Sequence, residues 1–260
     1  MTISHEWGPT VKTIHILRKP SVWIYTKTFG FLSDGILPIS EYIIKRIKHF
    51  KRPYLKVPIL ADFDECEDQH NIEDKDKFFL YCVYAAYTRV VYKIIDAYVQ
   101  YIKDGGNYQL KLVLSGDEGQ INVIRKYINE KRMDFEIKIL TKLPYRELQI
   151  YYKKASALII PLDPNSEQDK ARFSQKIAEY LSSCSPVISN DVGEISFYFK
   201  DKENIFLCDY SIKGFNDIFK WISCHEREAK SVGMNGFKLG KEEFNYKLFG
   251  KEIHDFISTI

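Results

Sequence analysis

The sequence predicts an α/β protein: a Rossmann-like, doubly wound parallel sheet, preceded by an incomplete α/β portion. Two observations carry the prediction. From about residue 78 onward, six short apolar runs recur: FFLYCVY (78–84), QLKLVLS (109–115), FEIKIL (135–140), ALIIPL (157–162), SPVISN (185–190) and NIFLCD (204–209). Between them lie segments such as RVVYKIIDAYVQYI, EGQINVIRKYINEK and YRELQIYYKKA, whose apolar residues fall three and four apart. Strands alternating with helices of that length imply βαβ units and a parallel sheet covered on both faces.

The front of the chain is less regular. DGILPISEYIIKRIKHF predicts one strand and one helix, YLKVPIL a further strand, and the acidic, polar stretch DFDECEDQHNIEDKDK (62–77) a linker. Two strands do not make an independent domain of this kind. The basic run IIKRIKHFKRPYLK (43–56) has apolar residues interleaved, the pattern of a membrane-surface contact. It is also short and interrupted by Pro53, as a solvated helix face followed by a loop would be.

Bulk properties narrow the class. With 260 residues, 45% apolar and 28% charged, the chain has the composition of a globular protein with a sizeable core, into which its 18 Tyr and 17 Phe would pack. A net charge of +3 is too mild for a nucleic-acid binder, so a small-molecule ligand is expected. Five scattered cysteines (Cys66, Cys82, Cys184, Cys208, Cys224) without a C-x-x-C pair point to reduced thiols in a cytosolic setting. The first twenty residues lack the apolar core of a secretory signal. The apolar stretch that begins at Phe78 is broken by Arg89, Lys93 and Asp96, which argues against a membrane span. The six histidines have no metal-ligand spacing, and no G-x-G-x-x-G, Walker or G-x-S-x-G motif is present.

Candidate chemistry is sought at the carboxyl ends of the strands, where ligands bind in open parallel sheets. A helix is predicted to start at Ser174, a good N-cap residue, and to run to about Cys184 with Ile177, Leu181 and Cys184 facing the sheet. Lys176 then sits in its first turn against the macrodipole, with Glu179 one turn deeper, in the less favourable order for an ion pair. Local stability does not account for a cation there. A bound phosphate would, held by the helix N–H groups and the ammonium, while Glu179 could accept from a vicinal diol such as a ribose. Spacing alone also fits an ordinary solvated face. Arg89 repeats the oddity in the first turn of a helix beginning near Thr88, so both cations are expected along one edge of the sheet, converging on a diphosphate. At a third helix start, after LVLSGDEG, Gly116 permits close backbone approach.

The stretch FSQKIAEYLSSCSPVISND (173–191) resembles the donor-binding segment of retaining glycosyltransferases of family four, a helix of the form F-x-x-K-x-x-E-Y followed by P-V-I. The resemblance extends through LKLVLSGDEG, LPYRELQIYYKKASALIIPL and RVVYKIIDAY, and covers roughly residues 30 to 258. It implies the C-terminal, donor-binding half of a GT-B architecture: residues 1–70 a remnant of the acceptor-side domain plus linker, 71–240 the Rossmann-like nucleotide-sugar-binding domain, and 241–260 a C-terminal helix packing back towards the front portion. It further implies a UDP- or GDP-linked sugar as donor, no cofactor or metal, and a glycan or lipid-linked acceptor in polysaccharide synthesis. A cytoplasmic site, with peripheral contact to the membrane's inner face, and a partner chain supplying the missing domain belong to the same picture. By that similarity Arg89 and Lys176 hold the diphosphate and assist its departure, Gly116 lies at the nucleotide, and Glu179 is the second glutamate of the family's E-x7-E motif, gripping the ribose. Two positions depart from the pattern: the first glutamate of that motif falls at Ala171, and Val90 replaces a glycine.

Overall fold

The computed structural model describes residues 23–63 and 76–260. Six strands, β1 (Asp76–Tyr84), β2 (Gln109–Ser115), β3 (Ile137–Thr141), β4 (Ala155–Ile159), β5 (Val187–Ser189) and β6 (Phe206–Leu207), form one sheet in the order β3-β2-β1-β4-β5-β6. Every neighbouring pair is parallel. The fold class is therefore the one the alternation predicts. Chain order reverses between β1 and β4, and at that switch point the crossover helices change face.

The two faces of β1 show why its sequence is apolar almost throughout. Phe79, Tyr81 and Val83 point to one side, where they pack with α2 (Thr88–Lys103) and α8 (Ile212–Cys224); Phe79 stacks on Phe219 with ring centroids 4.6 Å apart. Phe78, Leu80 and Cys82 point to the other, against α4 (Tyr145–Lys154), α6 (Gln175–Leu181) and Phe237 of α9 (Glu226–Glu243). Each such buried side chain stabilises the fold by about 1.5–3 kcal/mol. The remaining helices are α1 (Glu41–Ile47), α3 (Glu118–Glu130), the short α5 (Glu167–Ala171) and α7 (Ile195–Tyr198), and the C-terminal α10 (Tyr246–Thr259). Among the described residues no helix is long and apolar enough to cross a membrane.

Three local expectations change. The two front strands reduce to a single bridge between Ile36 and Tyr54. The segments do run side by side, with Ile36 donating to Pro53 and Val57 to Pro38 at 3.1 Å, but Pro38, Pro53 and Pro58 lack the N–H that a longer ladder needs. Helix α6 stops at Leu181, and Cys184 adopts a left-handed φ of 57°, so it closes the turn instead of extending the helix stripe. Ser174 flanks α6 without a side-chain capping bond. Most of the predicted linker lies outside the described residues, and its last two residues open β1.

The front portion is stitched to the sheet domain. The Ser40 hydroxyl caps α1 and donates to the Ala171 carbonyl at 2.6 Å. The Lys56 ammonium reaches Glu41 at 3.0 Å and the buried Glu194 at 2.8 Å. Ala61 bridges to Asn245 at the joint between α9 and α10, and Phe63 is buried beside Phe237. A Cβ added to Gly35 would come within 2.8 Å of the Phe256 ring, so α10 lies against the front portion.

Helix α9 crosses the turn entering β5 at Gly233, where an added Cβ would meet the Cys184 carbonyl oxygen at 2.7 Å and the Pro186 nitrogen at 2.8 Å. Alanine is the better helix former by about 1 kcal/mol. Backbone atoms cannot yield as a flexible side chain would, so overpacking wins: Gly233→Ala is expected to destabilise the protein by about 1–3 kcal/mol, read as a lower Tm.

Candidate nucleotide-sugar site

Helices α2 and α6 both begin at the carboxyl edge of the sheet, after β1 and after the long β4–α5 loop, and run back across its two faces. Arg89 and Lys176 therefore lie at one edge but approach from opposite faces, flanking the switch point between β1 and β4. Arg89 is exposed and Lys176 half-buried, and among the described residues neither is bonded to a carboxylate. The charge of Arg89 is felt by Tyr210, that of Lys176 by Cys82 and Glu179.

Glu179 lines a cavity of about 200 Å³ between α4 and α6. Tyr145, Gln149 and Lys153 contribute one wall, Gln175, Glu179 and Ser182 the other, and Leu60, Ala61 and Asp62 form a roof. The Gln175 amide donates to the Leu60 carbonyl and holds that roof in place. Burial pushes the Glu179 carboxyl up, and only the nearby Lys176 ammonium opposes it. Its carboxylate is bonded to no other described residue, so the site holds an acceptor group with open capacity.

A carboxyl raised above its unfolded value destabilises the fold as pH rises through that window, because the charged form is the one that burial penalises. Glu179→Gln is therefore expected to raise Tm at neutral pH and to leave it unchanged at pH 3, where both forms are neutral; thermal melts at the two pH values check this.

Gly116 is explained by the backbone. Its φ of +136° favours glycine, and a Cβ there would crowd the Gln120 side chain at 2.7 Å, which forms a capping box with Asp117 at the start of α3. Ala85 approaches from the next strand end, its N–H donating to Ser115 at 2.7 Å.

The sequence reading missed the groups between the two cations. In the short helix α5 after β4, Asp169 accepts from the Asp163 N–H at 2.9 Å and pairs with Arg172 at 2.8 Å. Tyr210, whose hydroxyl is raised by burial, senses Asp163, Asp169 and Arg89 together, so these groups share one neighbourhood at the sheet edge. Lys93 lies over the Tyr210 ring at 4.2 Å and donates to its carbonyl. The sequence signal was the acids of DPNSEQD, Asp163, Glu167 and Asp169, whose spacing matches no rule. Among the described residues no three His, Cys, Asp or Glu side chains gather as a metal site, and none of the four described cysteines is disulfide-bonded. Cys66 lies outside the described residues.

The sequence profile of the family described as "Glycosyl transferases group 1" matches residues 62–238, which include both helix starts and the Glu179 cavity wall. This chain belongs to the group 1 glycosyltransferases. Its fold matches the GT-B enzymes of known structure. Sucrose-phosphate synthase from Thermosynechococcus elongatus superposes with a TM-score of 0.74 at 16% identity, over 96% of this chain and 64% of that one. HepE from Anabaena, solved with UDP and glucose, gives 0.74 at 11% identity over 93% and 67%. The pneumococcal O-GlcNAc transferase GtfA, solved with UDP and GlcNAc, gives 0.64 at 12% identity over 89% and 46%. This glycosyltransferase chain thus spans about two thirds or less of those proteins. No curated sequence matches it.

Proposed function

We propose that the chain is the donor-binding part of a retaining, family-four-like glycosyltransferase, which takes a sugar from a UDP- or GDP-sugar to a glycan or lipid-linked acceptor at the cytoplasmic side. The observation that carries the reading is the pairing of two cations that have no carboxylate partner among the described residues, at helix starts around the switch point, with the half-buried Glu179, whose carboxylate no described residue bonds. Neighbours of the same fold solved with UDP support it. Arg89 and Lys176 hold the diphosphate from the two sides of the crevice. As the anomeric C–O bond breaks and its electron pair leaves on the diphosphate, their charge stabilises the oxyanion. Glu179 accepts hydrogen bonds from the ribose diol, and Gly116 lets the nucleotide approach the backbone. The reading uses no cofactor or metal. The acceptor's hydroxyl attacks on the face the diphosphate leaves and passes its proton to the departing diphosphate oxygen, which retains the anomeric configuration.

The chain covers 64% and 67% of the length of two structural neighbours, and the acceptor side is read as the part it does not cover. A partner chain completing that side is part of the proposal, and without it the chain acts as a nucleotide-sugar-binding module. Calorimetric titration with UDP, GDP and their sugars is expected to give saturable binding of one nucleotide series. Incubation with the preferred donor and oligosaccharide acceptors, followed by NMR of the product anomer, tests retention. No binding of either nucleotide overturns the reading; an inverted anomer overturns the retaining assignment alone.

A further inference from the structure

The front portion carries an apolar prominence ringed by positive charge. Phe50 is its base: buried itself, it receives the Phe29 ring at 5.0 Å and the Phe31 ring at 4.9 Å, and the backbone of Gly30 lies so close to it that a Cβ there would enter the ring. The Arg52 guanidinium clamps the same segment, donating to the carbonyls of Gly30 at 3.2 Å and Phe31 at 2.7 Å. The outcome is a rigid turn that holds Leu32 86% and Phe31 55% exposed, with Trp23 and Ile24 exposed on the helical turn before it. Large apolar side chains presented to water in a cluster mark an interaction surface.

The surrounding charge identifies the partner. Lys45, Lys48, Lys51 and Arg52 are exposed, none of them is in an ion pair among the described residues, and His49 lies edge-on to Phe31 at 6.4 Å. Lys27 adds a further cation beside Trp23, and Asp34 is the one exposed acid between residues 23 and 40. Arg46 is not counted, because it donates to Tyr42, which in turn bonds Glu167. We infer that this face docks on an anionic lipid bilayer, with Phe31 and Leu32 inserting at the headgroup level and the lysines meeting the lipid phosphates. A second protein domain would need its own acids opposite four unpaired cations, whereas an anionic leaflet supplies them at any register. The inference stands apart from the donor-site reading, since none of these residues lines the Glu179 cavity.

The test is co-sedimentation of the full chain with vesicles of phosphatidylcholine alone or mixed with phosphatidylglycerol. Binding is expected only to the anionic vesicles and is expected to fall as salt is raised. Lys45→Glu and Lys48→Glu are each expected to weaken partitioning about fivefold or more, and Leu32→Asp to abolish it, with far-UV circular dichroism, Tm and nucleotide binding unchanged in all three. Equal binding to both vesicle types, no binding, or variants that partition like the parent overturn the inference. So does a parent chain that self-associates in solution and becomes monomeric on Leu32→Asp, which would make the face a protein interface.

Discussion

Lys176→Ala is expected to weaken UDP or GDP binding by roughly 10- to 100-fold, the range of one lost charge-assisted hydrogen bond to phosphate. Tm should change little, because among the described residues the ammonium is in no ion pair, its field only partly offsets the burial of Glu179, and its helix is anchored by Ile177, Ala178 and Leu181. Arg89→Ala is expected to cost less, since that side chain is exposed and its field is screened by salt. The decisive comparison is with nucleoside alone. If Lys176 holds the diphosphate, affinity for uridine or guanosine survives the substitution; if Lys176 merely supports the fold, nucleoside and nucleotide lose affinity together and Tm drops. Glu179→Ala reverses the pattern, with nucleoside and nucleotide both weakened. Calorimetry on the two variants separates the roles.

The largest stability effect is expected from Lys56→Met, about 2–4 kcal/mol of destabilisation by chemical denaturation. Glu194 is 1% exposed, and its other oxygen already accepts from the Glu41 N–H at 2.6 Å. Removing the ammonium leaves a buried carboxylate without its counter-ion, the costly way to break such a pair. The figure is set below that of a fully buried pair because solvent still reaches Lys56. Replacing both residues, as in Lys56→Met with Glu194→Gln, is expected to recover much of the loss. Burial works against the Lys56 charge, but its bonds to Glu194 and Glu41 outweigh that and hold the ammonium well above the ordinary lysine range. Its contribution is therefore complete below the unfolded lysine value near 10.4 and is lost only as pH rises through the folded one. Titration of Lys56 itself therefore adds no pH dependence to the parent between about pH 6 and pH 9.

The sheet was legible because of what a doubly covered parallel sheet demands. Strands buried on both faces must be apolar at successive positions, as β1 is in FFLYCVY, while β2 shows in QLKLVLS the alternation of a strand with one face fully covered; both announce themselves almost to the residue. The front portion was misread for the same reason. YLKVPIL has strand composition, yet Pro58 within it, Pro53 just before it and Pro38 opposite withdraw the donors on which pairing depends, and composition does not record hydrogen bonds. At the site, Lys176 and Glu179 were readable as local contradictions of helix electrostatics. The groups around them were not, because Asp169, Tyr210 and Arg172 are ordinary in their own neighbourhoods and gain meaning only when β4 and β6 bring their loops to one edge. Glu194 was silent too, since its partner lies 138 positions earlier in the chain and burial made the pair visible.

The short strip at Leu60–Asp62 serves two masters. Its carbonyl at Leu60 is grasped by Gln175 beside the cavity, while Ala61 is zipped to the joint ahead of the last helix, its N–H donating to Phe244 at 2.9 Å and its carbonyl receiving from Tyr246 at 3.2 Å. A swing of the front portion cannot occur without either tearing that seam or dragging the ceiling away from Glu179.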